Sequence, residues 1–250
     1  MTARYAVIGG SGFYSLGDEF HLERRAAPET PFGKISAEIQ IGRWHGNNIV
    51  FLARHGESHQ LAPHEINYRA NLWALQSEGV TNIYSVNAVG GITPDLPPRT
   101  LALPDQIIDY TSARAHTFFD GKQRELKHID FSFPYSTTMR DAIVAASESA
   151  GTDLVTTGTY GCTNGPRLET AAEIRKMGTD GCNMVGMTGM PEAALARELE
   201  IEYAAIALVV NWCAGIEGSV LDMDQIKQCM AEGMHSVKKL ILATLERIER

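Results

Sequence analysis

The chain of 250 residues carries a formal net charge of −8 at pH 7, with 44% hydrophobic and 21% charged residues. This acidic balance, without a basic stripe to neutralise phosphates, argues against general nucleic-acid binding. The apolar runs fall short of the roughly 18 residues of a membrane span, and the N-terminal run is too short for a secretory signal. The cysteines show no CxxC spacing and are interpreted as reduced thiols. We therefore expect a cytoplasmic protein that binds neither nucleic acid nor a membrane.

Short apolar runs alternate along the chain with longer segments of helical periodicity. In chain order, strands are predicted at RYAVIGG, NNIVFLARHG, TNIYSVNAVGG, TLALPDQIIDY, NMVGMTGM and YAAIALVVN. Helices are predicted at HEINYRANLWALQSEG, STTMRDAIVAASESAG, RLETAAEIRKMGT, MPEAALARELE and the C-terminal segment from MDQIKQ onward. This alternation is typical of α/β proteins. Since no linker interrupts it, we predict one domain over residues 1–250, with a mixed, largely parallel central sheet flanked by helices.

The first candidate site is the glycine-rich stretch GGSGF that follows the first predicted strand. Ligands of open α/β sheets bind at the carboxyl ends of strands, where backbone amides and the Ser11 hydroxyl can hold an anion. The stretch does not fit the dinucleotide pattern GxGxxG, because Ser15 occupies the third glycine position. A tight turn without a ligand explains GGSGF alone equally well.

Arg54 and His55 follow the second predicted strand in ARHGESH. A guanidinium there can clasp an anion bidentately and the imidazole can add a donor, although a surface pair has the same sequence signature. His55, His59 and His64 have neither HExxH nor zinc-finger spacing, so we expect no metal.

Small and polar residues end the other predicted strands. In NAVGG the Ala88 amide is open to a ligand, and MTGMPE places Met187 and Thr188 before a helix. Core packing of Met187 and helix capping by Thr188 are the alternatives. In NGPRLET, Leu168 and Glu169 lie where a helix begins, and there an acid also complements the helix dipole.

Together these stretches resemble the trimeric purine nucleoside phosphorylase family, and within it the branch of methylthioadenosine and methylthioinosine phosphorylases. The family order is followed over nearly the whole chain by GGSGF, TPFGK, ARHGESH, INYRANLWAL, NAVGG, FFDG, HIDFSFPY, NGPRLET, GMTGMPEAALARE and the strand that ends at Asn211. So ordered a set is specific, whereas no single stretch is.

The resemblance implies an enzyme that cleaves the N-glycosidic bond of a purine nucleoside with inorganic phosphate as co-substrate, without metal or organic cofactor. Met187 would lie against the ribose, and His128 would reach the sugar site of a neighbouring subunit in a homotrimer or hexamer. The implied phosphate-binding set is Ser11, Arg54, His55, the Ala88 backbone amide and Thr188.

The base-reading positions depart from the methylthioadenosine phosphorylase pattern, which has aspartates where this chain has Asn211 and Cys213. The Asn211 amide can donate to the carbonyl of a 6-oxopurine and to N7 of the departing base, so Asn211 is the candidate catalytic residue. Glu169 can accept the N1 hydrogen that 6-oxopurines carry and adenine lacks. Leu168 completes the predicted base site.

The resemblance implies that the 5′ position of the sugar faces the stretch SVLDMDQIKQ. This stretch lacks the histidine that binds the 5′-hydroxyl in enzymes for ordinary nucleosides. Val220, Leu221, Met223 and Ile226 are available to line an apolar methylthio pocket, or to pack the last helix. We therefore expect phosphorolysis of S-methyl-5′-thioinosine to hypoxanthine and 5-methylthioribose 1-phosphate. The alternatives are phosphorylases of methylthioadenosine or of inosine and guanosine, a nucleoside-binding regulator without turnover, and a dinucleotide-binding protein.

Overall fold

The computed structural model describes residues 4–121, 124–216, 219 and 222–248. Within these ranges the strands are β1 (Tyr5–Gly9), β2 (Phe20–Ala26), β3 (Ile39–Trp44), β4 (Asn47–Ala53), β5 (Asn82–Gly91), β6 (Leu101–Ala102), β7 (Gln106–Asp109), β8 (Thr159–Cys162), β9 (Met184–Gly186) and β10 (Glu202–Trp212). The helices are α1 (Tyr68–Ser77), α2 (Thr137–Ala150), α3 (Ala171–Thr179), α4 (Gly189–Glu198) and α5 (Met223–Ile248).

All ten described strands join one mixed sheet in the order β2-β3-β4-β1-β5-β9-β8-β7, while β10 pairs with β5 and with β6. The central strands β4, β1, β5 and β10 run parallel, and β2, β3 and β4 form an antiparallel meander at one edge. The predicted mixed, largely parallel sheet flanked by helices is confirmed.

Two apolar clusters fill the space on either side of the sheet. On one side α1 and α4 pack against it, for example through Leu72 and Leu195. On the other side α2 and α5 do so, for example through Ile143 and Leu240. Because β1, β4, β5 and β10 are covered on both faces, their sequences read as nearly continuous apolar runs.

Helix ends agree with local capping chemistry. Ser136 caps α2 by accepting from the Met139 amide, and α2 ends at Gly151 in the left-handed conformation. Thr170 and Glu173 form a reciprocal capping box at the start of α3. In the part of the chain that is described, no helix is long and apolar enough to cross a membrane.

Candidate active site

A cavity of about 790 Å³ opens where β1, β4, β5 and β10 end, which is the position expected for an open α/β sheet. His128 does not line this cavity. The predicted site residues that do line it are Ser11, Arg54, His55, Ala88, Leu168, Glu169, Met187, Thr188, Asn211, Met223 and Ile226.

The cavity floor lies in a gap of the sheet beside β5. On one side of β5, β1 pairs with residues 82–85 and β9 with residues 90–91, so the strand edge between them has no neighbouring strand. The Val86 carbonyl faces this gap, because it accepts from Arg54 Nη1 at 3.0 Å. Since peptide groups alternate in direction along a strand, the amide of Ala88, two residues on, faces the same gap. The predicted contact between the Ala88 amide and an anion requires this direction of the amide.

Arg54 is fully buried beneath the gap and forms a bidentate ion pair with Glu192 of α4. Nε donates to Oε2 at 2.7 Å and Nη2 to Oε1 at 2.8 Å, and Nη2 also donates to Ser85 Oγ at 2.5 Å. The bidentate partner is therefore Glu192 and not a bound anion, which corrects the geometry expected from the sequence. With Nη1 also bound to Val86, one of the five N–H groups of the guanidinium has no partner among the residues described.

The protonation of this pair follows from its contacts. Burial alone would lower the pKa of Arg54, but the charge of Glu192 and the hydrogen bonds to it outweigh burial and raise that pKa. Glu192 Oε1 also accepts from Ser85 Oγ and from the Tyr203 hydroxyl, each at 2.8 Å. Such complete pairing is what allows two charges to be buried.

Gly10 lets the glycine-rich loop approach the guanidinium closely. A Cβ at this position would meet the Val86 carbonyl oxygen at 2.5 Å and Arg54 Nη1 at 2.9 Å. The loop itself is held by bonds from the Arg54 amide to the Gly9 carbonyl and from the Phe13 amide to the Gly10 carbonyl, both at 3.0 Å. GGSGF thus does more than turn the chain, because it shapes the wall beside the remaining Arg54 donor.

His55 adjoins this wall and is neutral at pH 7. Burial and then the charge of Arg54 lower its pKa to about 4. Its Nδ1 lies 2.9 Å from the Leu61 carbonyl oxygen, which can only accept, so Nδ1 carries the ring hydrogen and Nε2 is an acceptor. The sequence predicted an additional donor here, whereas the structure provides an acceptor, which suits the hydroxyl of hydrogen phosphate.

Thr188 lines the cavity, and among the described residues its hydroxyl has no acceptor for its hydrogen. It occupies the N-cap position of α4 but makes no capping hydrogen bond with its side chain, so capping does not account for this residue. Its Oγ1 instead accepts from Asn87 Nδ2 at 3.0 Å, and Asn87 Oδ1 lies 3.0 Å from Ser85 Oγ. Because Asn87 donates to the oxygen of this hydroxyl, the hydroxyl hydrogen of Thr188 is available to a ligand.

At the opposite end of the cavity, β10 delivers Asn211. The register of β10 against β5 shifts between Val209 and Asn211, so Val210 is one extra residue and a bulge forms. Val210 and Asn211 both line the cavity at this bulge. Asn211 Nδ2 donates to the Trp212 carbonyl at 2.7 Å. The second amide hydrogen has no partner in the described part of the chain.

Glu169 and Cys213 line the same cavity as Asn211. The Thr163 hydroxyl donates to Glu169 Oε1 at 2.7 Å. Burial, followed by the nearby charge of Glu169, raises the pKa of the Cys213 thiol to about 12, so the thiol is neutral at pH 7. The acid that serves the N-terminus of α3 is Glu173, which leaves Glu169 available for a ligand.

Apolar side chains line the third region of the cavity, where α5 begins. Ile226 is buried, Met223 is 55% exposed, and Met230 and Lys227 of α5 also line the cavity. Met187 lines the cavity as well and lies close to Gly165. Val220 and Leu221, also predicted there, lie outside the described residues. His128 is exposed at the surface.

Comparison with known proteins identifies the family of this fold and cavity. Residues 4–246 match the family model described as the phosphorylase superfamily. The chain belongs to the phosphorylase superfamily. A probable S-methyl-5′-thioinosine phosphorylase of Pseudomonas syringae pv. tomato is 50% identical over 244 residues, covering 98% of this chain and 97% of that protein.

Two further relatives are named for nucleosides that carry different purine bases. The 6-oxopurine nucleoside phosphorylase of Pyrococcus furiosus is 42% identical, covering 99% of this chain and 94% of that one. Among solved structures, methylthioadenosine phosphorylase from Schistosoma mansoni in complex with adenine superposes with a TM-score of 0.93 at 29% identity, covering 99% of this chain and 92% of that chain.

Sequence reasoning missed several polar residues behind the cavity wall. Glu192 follows the helix-start pattern of an acid in the first turn, so its pairing with a residue 138 positions away had no local signal. Ser85 and Asn87 lie within an apolar strand, and their polarity in a buried run was the available signal. Tyr14 and His59 also line the cavity and contact each other, with Oη–Nδ1 at 3.2 Å.

Proposed function

We propose that this phosphorylase cleaves S-methyl-5′-thioinosine with inorganic phosphate, releasing hypoxanthine and 5-methylthioribose 1-phosphate. The names of its relatives support this substrate, since one is a probable S-methyl-5′-thioinosine phosphorylase and another acts on 6-oxopurine nucleosides. The site residues named below are part of the same proposal.

The observation that carries the proposal is the presence of an amide, a carboxylate and a neutral thiol in the lining of one cavity. Asn211 has an amide hydrogen for the 6-carbonyl or N7, and Glu169 accepts the N1 hydrogen of hypoxanthine. Cys213 adds no negative charge, whereas an aspartate there would face Glu169 at close range. Adenine would present an unprotonated N1 to Glu169, which leaves two acceptors facing each other.

Phosphate would occupy the gap beside β5. Its donors are the remaining Nη1 hydrogen of Arg54, the Ala88 amide and the hydroxyls of Ser11 and Thr188. The neutral Nε2 of His55 accepts the hydrogen of the phosphate hydroxyl, so a monohydrogen form fits the site. Because Glu192 neutralises Arg54, the phosphate is held mainly by oriented hydrogen bonds, which keeps it available as a nucleophile.

As the bond from C1′ to N9 lengthens, the sugar becomes positive and the purine negative. The phosphate beneath the sugar stabilises the first charge and Asn211 the second, so both contacts strengthen toward the transition state. Loss of one such donor typically costs about 3 kcal/mol in activation free energy at a comparable site.

Purified protein with phosphate and equal concentrations of methylthioinosine, methylthioadenosine and inosine tests the proposal. We expect kcat/KM to be highest for methylthioinosine, with free hypoxanthine formed in amounts that depend on phosphate. Preference for methylthioadenosine would contradict the base assignment, and preference for inosine the apolar pocket of Met223 and Ile226. Binding without phosphate-dependent release would indicate a regulator.

The proposal includes a cytoplasmic homotrimer or a pair of trimers, with His128 completing a neighbour's sugar site. It is supported by the large exposed apolar side chains flanking His128, Leu126 at 68% and Phe133 at 69%, which an interface would cover. The four cysteines are unpaired, as expected in a reducing compartment. Light scattering tests the assembly. In mixed oligomers, Asn211→Ala subunits should restore activity to the sites of His128→Ala subunits only if His128 acts across the interface.

A further inference from the structure

Thr163 lies directly after β8 and its backbone is fixed on both sides. Its amide donates to the Gly186 carbonyl at 2.9 Å, and its carbonyl accepts from Arg114 Nη2 at 3.3 Å. The same guanidinium nitrogen also binds the Asn164 carbonyl at 3.1 Å. The Thr163 hydroxyl is therefore mounted on a rigid part of the sheet and not on a free loop.

This hydroxyl donates to Glu169 Oε1 at 2.7 Å, and among the described residues it is the one hydrogen bond that the Glu169 carboxylate accepts. Because a carboxylate has no hydrogen, the direction of this bond is certain. It leaves Oε2 as the oxygen available to a ligand.

Glu169 has an alternative direction in which to point. It also lines a second cavity of about 310 Å³, which Thr163 lines as well and where Arg167 and Lys176 supply positive charge. The bond to Thr163 therefore holds Oε1 beside the second cavity, and Oε2 is the oxygen left for the substrate cavity. The ion pair with Glu173 and, to a smaller extent, the charge of Glu169 raise the pKa of Arg167. Without a restraint, the Glu169 carboxylate can turn from the base toward these cations, since a half-buried side chain retains rotamer freedom.

We infer that Thr163 is a positioning residue that keeps Glu169 directed at the purine and presents its Oε2 to the N1 hydrogen. This inference rests on the proposed function, because it assigns the orientation of the residue that reads the base. Thr163 acts through Glu169 and need not touch the substrate.

The Thr163 hydroxyl also determines which group of a glutamine at position 169 would face the base. In Glu169→Gln the Thr163 hydroxyl still requires an acceptor and selects the amide oxygen, so the NH₂ group faces the base. That group donates to the unprotonated N1 of a 6-aminopurine and opposes the N1 hydrogen of a 6-oxopurine. Glu169→Gln should therefore shift preference toward methylthioadenosine, and the shift should depend on Thr163.

The test compares Thr163→Val, which has nearly the same shape, with Thr163→Ser, which restores the hydroxyl. Losing a hydrogen bond to a charged group should lower kcat/KM for methylthioinosine about ten- to hundredfold in Thr163→Val. Hypoxanthine binding measured by calorimetry should weaken by a similar factor while adenine binding changes little, and Thr163→Ser should recover most of both. The matched control is Thr179→Val, because Thr179 donates its hydroxyl to the Arg175 carbonyl on an exposed part of α3.

The second arm combines Thr163→Val with Glu169→Gln. We expect the preference for methylthioadenosine created by Glu169→Gln to shrink in the double variant. Equal loss of hypoxanthine and adenine binding in Thr163→Val would reduce Thr163 to a structural role and overturn the inference. Loss of methylthioinosine cleavage in Glu169→Gln but not in Thr163→Val would also overturn it and leave the proposed function intact. A wild-type preference for methylthioadenosine would contradict the proposed function itself.

Discussion

Arg54 and Glu192 form a bidentate ion pair with side-chain exposures of 0% and 1%, directly beneath the gap in the sheet. The pair joins Arg54, the residue after β4, to α4, which is far away in the sequence. Its remaining N–H is the donor proposed for phosphate, so we expect this ion pair to affect both the stability of the fold and the binding of the anion.

Glu192→Gln should destabilise the protein by about 3–5 kcal/mol, because it leaves the buried Arg54 charge without its counterion. Denaturant unfolding at fixed protein concentration, without phosphate, measures this change. The control is Glu23→Gln, which removes an exposed partner of Arg43 at 3.2 Å and should cost about 0–1 kcal/mol. Similar losses in both variants would show that the buried pair contributes no more than a surface pair.

Asn211→Asp should move relative activity toward methylthioadenosine. A carboxyl group accepts from the 6-amino group, and when ionised it repels the 6-carbonyl. The ratio of kcat/KM for the two substrates is the measurement, and a change of about tenfold or more is expected from one mismatched polar contact. Asn48→Asp adds the same charge at an exposed position of β4 and should leave the ratio unchanged. An unaltered ratio in Asn211→Asp would mean that other residues read the base.

Gly10→Ala should weaken phosphate binding more than nucleoside binding. The added methyl group would meet the Val86 oxygen at 2.5 Å and Arg54 Nη1 at 2.9 Å, so the loop has to move away from the remaining donor. Overpacking of this kind also costs about 1–3 kcal/mol of stability. Separate titrations of phosphate and nucleoside give the two KM values. Gly178→Ala is the control, since its Cβ would meet its nearest neighbour at an ordinary 3.5 Å.

His55 should make stability depend on pH between about 6.5 and 4. Its pKa is lowered to about 4 in the folded protein, whereas the unfolded chain titrates near 6.5, so the unfolded state binds more protons in this window. The contribution of the neutral imidazole is complete above about pH 6.5 and is lost as the pH falls toward 4, up to about 3 kcal/mol in total. Arg54, His59 and Glu192 are the charged or titratable groups that act on it.

Unfolding free energies of wild type and His55→Gln over this pH range check the prediction. The stability advantage of the wild type over the variant should shrink on acidification. The control is His21→Gln, which removes an exposed histidine of β2, and its curve should run parallel to that of the wild type. Parallel curves for His55→Gln would show that His55 is not buried as a neutral ring.

Most of the parallel sheet and all five predicted helices follow from sequence pattern, because buried strands and amphipathic helices have distinct periodicities. The position of the cavity could also be predicted from the sequence, because its residues follow strands whose carboxyl ends meet at one edge of the sheet. The hairpin of β2 and β3 was missed because β2, FHLERRA, is exposed and highly charged and shows no apolar alternation. One predicted strand, TLALPDQIIDY, proved to be two short strands, β6 and β7, and the short strand β8 was missed.

Contacts between residues that are far apart in the chain could not be predicted from the sequence. The sequence predicted Arg54 at the anion site but not Glu192, because the choice between a ligand and a buried partner depends on tertiary packing. The direction of the His55 hydrogen depends on the Leu61 carbonyl in the same way. Asn211 was recognised as an amide that ends an apolar run, although the bulge just before it leaves no mark in the local pattern.

The extra residue at Val210 separates two tasks within one strand. Before it, alternate side chains pack against both layers of helices, whereas Asn211 and Trp212 beyond it are half-buried at the cavity. Cys213 then returns to the interior, in a buried cluster with Ile174 and Met177. Substrate choice in this scaffold is therefore open to redesign at the strand's tip, while the rest of β10 keeps the protein folded.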